Sequence, residues 1–172
     1  MDNCARILSA NNMAALINLH RKTNSSYVWI LTSGGYDPIH PGHISCMIDS
    51  KETMLHKYLA SNCKLIVAVN NDDFLINKKG RAFMPHNVRC QIVSAIKYVD
   101  FVVPYNPTRS NDMTVCEAIE IMRPDYFTKG GDRELGNIPE VEVCTQVGTK
   151  IVTGVGDDKL WSSSEYLNKW RA

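Results

Sequence analysis

Short apolar runs alternate along this chain with longer stretches whose apolar residues recur at helical spacing, and that order leaves few folds open. Runs at 27–31, 64–69, 101–103, 126–128 and 150–153 read as strands. The second of them, Lys64-Leu65-Ile66-Val67-Ala68-Val69, is apolar on both faces, as a strand covered from above and below must be. Residues 42–59, 88–98, 115–122 and 138–147 read as the intervening helices. A further helix over 9–21, with Ser9 as its N-cap, precedes the first strand, and one over 162–170 closes the chain. Strands that alternate with helices predict an α/β fold, a three-layer sandwich around a five-stranded parallel sheet. Its ligands are expected beyond the carboxyl ends of the strands.

Those ends are where the chemically expressive residues collect. The first strand runs into Ser33-Gly34-Gly35-Tyr36-Asp37-Pro38-Ile39-His40-Pro41-Gly42-His43 and then into a helix. Glycines without a Cβ let backbone N–H groups approach phosphate oxygens, and the positive start of a helix favours the same anions. Histidines at that junction can donate hydrogen bonds to oxygens on which charge develops during attack at phosphorus. Lys51 follows His43 by about two helical turns, about 80° around the axis, within reach of such a phosphate for a long side chain. Asn70–Asp73 ends the second strand, where Asp72 reads as a helix cap. Lys78–Pro85 is a basic loop carrying Lys79 and Arg81, and Arg89 stands in the first turn of the helix after it. That loop reads either as a lid over two polyanions or as a solvated basic surface. Lys129-Gly130-Gly131-Asp132 repeats the glycine logic at another strand end, where Asp132 can accept from a base or ribose. Ser162, Ser163 and Ser164 open the last helix, where serine both caps and binds anions.

A net charge of +1 argues against a broad nucleic-acid surface, although basic residues can still gather locally. Six cysteines without a C-x-x-C pair predict reduced thiols rather than a disulfide framework or a zinc site. Polar residues interrupt the first dozen positions, so no leader is expected, and no run reaches membrane-span length. The expectation is a soluble, cytoplasmic protein with one domain over 1–172, of which 1–26 is a helical N-terminal extension.

The stretch from Gly34 to His43 resembles the G-x-F-D-x-x-H-x-G-H signature of the cytidylyltransferase-like nucleotidyltransferases, with Tyr36 at the Phe position. Lys79-Gly80-Arg81 with Arg89, Tyr98-Val99-Asp100-Phe101-Val102-Val103 and Ser162-Ser163-Ser164 resemble further segments of that family. Lys129-Gly130-Gly131-Asp132 is similar to the motif of its heptose-phosphate adenylyltransferase branch. Departures fall at Tyr36, at Arg133-Glu134-Leu135 and over 157–161. The resemblance implies a Rossmann-like fold and transfer of a nucleoside monophosphate to a phosphorylated small molecule, such as a sugar 1-phosphate, with release of pyrophosphate. It implies His40, His43, Lys51 and Arg89 as catalytic residues. Ser33, Gly34, Gly35, Tyr36, Gly42, Lys129, Gly131, Asp132, Ser162 and Ser163 would bind the nucleotide, and Asp37, Lys79 and Arg81 the acceptor. Mg²⁺ would be held mostly by the triphosphate and water, with no resident metal site on the chain. ATP is expected as donor, and a homodimer as the assembly. The alternatives are a cytidylyltransferase using CTP and glycerol 3-phosphate or a similar alcohol phosphate, and a nucleotide-binding module without chemistry. A dinucleotide oxidoreductase fits less well, because the first turn lacks G-x-G-x-x-G.

Overall fold

Six parallel strands form a single sheet in the computed structural model, which describes residues 5–23, 26–58, 62–109, 113–131, 136, 138–157 and 162–169. They are β1 (Arg6–Ile7), β2 (Val28–Gly34), β3 (Cys63–Asn70), β4 (Phe101–Tyr105), β5 (Tyr126–Gly130) and β6 (Lys150–Val155), in the spatial order β1-β4-β3-β2-β5-β6. Five correspond to the runs read from the sequence. The sixth, β1, corrects the expected five-stranded sheet. Its two residues are exposed and carry no apolar pattern, and only the pairing of Arg6 with Phe101 and Ile7 with Val102 makes them a strand.

Both faces of the sheet are buried, and side-chain alternation sorts each strand between them. Trp29 and Leu31 of β2, with Ile66 and Ala68 of β3, join one core. Ile30, Leu65, Val67 and Val69 point the other way into a second. The first core is completed by α1 (Ala10–Lys22), α5 (Cys116–Met122) and α6 (Val141–Val147) through Met13, Ile17, Ile119, Met122 and Val143. The second is completed by α2 (Pro41–Tyr58) and α4 (His86–Ser94) through Met47, Met54 and Val93. The helix α1 of the expected N-terminal extension is thus more than an appendage, because its Met13 and Ile17 are fully buried. Ser9 caps α1 as expected, its hydroxyl accepting from the Asn12 N–H at 3.2 Å.

A helix that the periodicity does not announce, α3 (Asp72–Lys79), fills what reads as a break and a basic loop. Its cap is Asn71, whose side chain accepts from the Phe74 N–H at 3.0 Å; this corrects the reading of Asp72 as the cap. The last helix is α7 (Ser163–Lys169). No helix among the described residues is long and apolar enough to cross a membrane. The five described cysteines are free thiols.

Candidate active site

The chain leaves β2 toward β3 on one side, while β5 pairs on the other, so the connections diverge at the carboxyl ends of β2 and β5. A cleft of about 420 Å³ opens there. Its floor is Ser33 and Gly34 at the end of β2, Gly35 and Tyr36 in the following turn, and Lys129, Gly130 and Gly131 at the end of β5. His40, Gly42 and His43 enter from the start of α2, Lys78 and Lys79 from the end of α3, and Ser162, Ser163 and Ser164 from the start of α7. The close packing explains two of the glycines. A Cβ on Gly34 would lie 2.9 Å from the Tyr36 ring, and one on Gly156, at φ 86°, only 2.7 Å from the backbone nitrogen of Cys46. The second turn of α2 therefore lies directly on the exit of β6. The Asp49 carboxylate accepts from the Gly156 N–H at 2.8 Å, and the Ser45 hydroxyl from the Asp157 N–H at 3.1 Å.

The two histidine rings stack 3.7 Å apart at 20°, with Tyr36 edge-on to His43 at 5.1 Å. Neither Nδ1 has a hydrogen-bond partner among the described residues although both atoms are buried. Burial pushes the His43 imidazole down to about 3, helped by the neighbouring His40 and by the Lys79 ammonium. His40 is lowered for the first and last of these reasons. Both rings are neutral near pH 7, so each presents a hydrogen-bond donor without adding a charge. The charge comes from Lys78, Lys79 and Lys129, against one carboxylate, Asp157, among the described lining residues. Lys79 is itself lowered by burial, partly offset by Asp37. Ser163 anchors α7 to the histidine turn by donating to the Pro38 carbonyl at 3.0 Å. Cationic ammonium groups, neutral imidazoles, hydroxyls and a helix start together offer what a polyphosphate needs in charge and hydrogen bonding.

Four expected site residues stand elsewhere. Lys51 lies along α2 toward the amino ends of the strands, where its ammonium pairs with Asp100 at 2.7 Å and donates to the Tyr98 carbonyl at 3.3 Å. Arg89 is fully buried and all its bonding is internal. Its guanidinium donates to the carbonyls of Met84, Gly35 and Asn70 at 3.0, 2.7 and 2.7 Å and pairs with Asp72 at 2.6 Å, which ties the ends of β2 and β3 to the segment before α4. Asp37 is 1% exposed and accepts from the N–H groups of Phe83 and Met84 at 2.6 and 2.8 Å, so it holds that segment rather than facing the cleft. Arg81 is exposed and outside the cleft lining, whereas Lys79 lines it and donates to the Asp37 carbonyl at 3.2 Å. Asp132 lies outside the described residues. The cleft also contains Thr32, Cys46, Phe74, Leu75, Lys78 and Asp157, which the sequence reading leaves out of the site. Phe74, Leu75 and Lys78 belong to the unread α3; Lys78, next to Lys79 in the basic run, is the one with a visible signal.

Comparison with known proteins converges on the same segment. A family model described as Cytidylyltransferase-like matches residues 31–156, from within β2 to just beyond β6. The Bifunctional protein HldE of Blochmanniella floridana is 36% identical over 138 residues, which is 78% of this chain and 26% of that protein. The protein of the same name from Desulfatibacillum aliphaticivorans is 29% identical over 141 residues, 81% of this chain and 26% of the relative. The chain thus spans about a quarter of the length of these curated relatives. Among solved structures, the lipopolysaccharide core biosynthesis protein from Thermoplasma volcanium GSS1 shares the fold, with a TM-score of 0.57 and 24% identity over 76% of this chain and 98% of that one. The matched span holds the histidine turn, α3 and the β5 exit, so the cleft and the family coincide: the chain belongs to the cytidylyltransferase-like family of nucleotidyltransferases.

Proposed function

We propose that the chain transfers the AMP moiety of ATP to the phosphate of a phosphorylated sugar. An oxygen of the acceptor phosphate attacks the α-phosphorus, the bond from that phosphorus to the bridging oxygen breaks, and pyrophosphate leaves with the electron pair. The acceptor is already an anion, so the chemistry asks for positioning and charge neutralisation rather than a general base. The observation that carries this reading is the stacked pair His40 and His43, neutral and with Nδ1 atoms that have no partner among the described residues, in the lining of a cleft shared with Lys79 and Lys129. Such donors strengthen when charge develops on phosphate oxygens. Adenylyl rather than cytidylyl transfer is favoured by Lys129-Gly130-Gly131-Asp132 and Lys79-Gly80-Arg81, which resemble the heptose-phosphate adenylyl branch.

The donor set suits Mg²⁺ arriving on the triphosphate. No group of three His, Cys, Asp or Glu side chains among the described residues can hold a metal, and the charged side chains of the cleft wall are lysines save Asp157. An ion brought in on the phosphates would supply further neutralisation of their charge. The test is a screen of ATP, CTP, GTP and UTP with Mg²⁺ against heptose 1-phosphate, glycerol 3-phosphate and choline phosphate, read as pyrophosphate released. Release from ATP with the sugar phosphate is expected. Release from CTP with glycerol 3-phosphate alone overturns the branch, and release from no pair overturns the enzyme reading.

A further inference from the structure

We infer that Glu140, outside every motif above, is a positioning residue of the nucleotide site, acting through Lys129; the inference rests on the polyphosphate reading of the cleft. Glu140 immediately precedes α6 and is 3% exposed, yet its side chain makes no capping hydrogen bond to that helix. Its Oε1 instead accepts from the Lys129 ammonium at 3.2 Å and from the Val115 N–H at 3.4 Å. Its Oε2 is buried with no partner among the described residues. A carboxylate in that state costs stability, and its own helix draws nothing from it. What it does contact, besides the Val115 N–H, is the cation on the cleft floor.

An ammonium has three N–H donors. Lys129 directs one to Glu140 and one to the Ser33 hydroxyl at 3.3 Å, and its nitrogen sits over the Phe127 ring, 4.7 Å from the centroid. Two acceptors and the ring fix the nitrogen, which lines the cleft and has a third donor to offer an anion there. A lysine otherwise loses much rotamer freedom when it grips a ligand, and Glu140 has removed that freedom beforehand. The carboxylate also offsets part of the ammonium charge, so its value lies in placement and not in added attraction.

Binding of ATP and of inorganic pyrophosphate to the whole chain tests this by titration calorimetry, with the variants Glu140→Ala, Glu140→Gln, Lys129→Met and the alanine–methionine double. Alanine should weaken both ligands about tenfold, the size of coupling typical for contacting residues. Glutamine, which keeps an acceptor at the Oε1 position, should restore binding to within about threefold of the parent, since an accepting oxygen rather than charge is the requirement. In the Lys129→Met background the alanine change should have no further effect. If the alanine variant does not fold, Glu140→Asp, which keeps the charge but withdraws it by one methylene, replaces it in the cycle. Unchanged or tighter binding, or a loss that persists without Lys129, overturns the positioning role while leaving the functional reading intact. Absence of ATP and pyrophosphate binding in the parent chain overturns both.

Discussion

At the scale of single residues, the two histidines differ from the cations in how their role is written. His43 is held neutral by burial, with its pKa near 3 in the fold against 6.5 as the ordinary value. Between those values the unfolded chain binds a proton that the folded chain refuses, so stability falls as pH drops from about 6.5 toward 3 and is unaffected above. Glutamine at this position keeps a polar donor but cannot titrate. His43→Gln should therefore flatten this acid slope in denaturant titrations at a series of pH values, and lower turnover at pH 7.5 by about a hundredfold as for other lost transition-state donors. An unchanged slope would show that the ring is not buried as a neutral group. The histidines were legible because strand, glycines, histidines and helix are contiguous, so local order already brings them together. Lys51 and Arg89 were not, because a cation that faces a ligand and one that faces a partner read alike along the chain. The carboxylates that hold them, Asp100 and Asp72, are 49 and 17 positions away.

At the scale of elements, the same distinction explains α3. Eight residues are too few for apolar periodicity to show, and Phe74-Leu75-Ile76 followed by Asn77-Lys78-Lys79 reads as a ragged edge between strand and loop. Its existence depends on Asn71 at one end and on Gly80, at φ 81°, at the other. The segment from Gly80 to Pro85 is likewise less free than its composition suggests. Asp37 accepts two of its N–H groups and Arg89 donates to its Met84 carbonyl. Replacing Asp37 by Ala orphans both N–H groups, at about 1–3 kcal/mol each. Arg81 is exposed within that segment, so limited trypsinolysis reports its opening. Cleavage after Arg81 should accelerate at least tenfold in Asp37→Ala, since about 1.4 kcal/mol of lost local stability multiplies the open population by ten. An unchanged cleavage rate would mean that the segment is held by other contacts.

At the scale of the whole molecule, alternation of strand and helix announced a parallel sheet but carried no information on which strands are neighbours. The order β1-β4-β3-β2-β5-β6 arises from packing, and with it the divergence beside β2 that makes the cleft. The helix α2 spans this architecture, with His43 at the carboxyl ends and Lys51, paired to Asp100 beside Lys64, at the amino ends. The proposed binding and the ion-pair anchoring thus fall at two points of one element, and they should separate experimentally. A ligand present at about a hundred times its dissociation constant stabilises the fold by about 2.7 kcal/mol. In a domain of this length each kcal/mol is worth roughly 2–4 °C in Tm. Thermal unfolding with and without MgATP should show that upward shift in the parent chain. Lys51→Met should lower the baseline Tm through the lost ion pair yet keep the full shift, because no phosphate depends on it. The double change His40→Ala with His43→Ala should leave the baseline near the parent and lose most of the shift. Loss of the shift in Lys51→Met would instead return Lys51 to the triphosphate and require α2 to pack differently when nucleotide is bound.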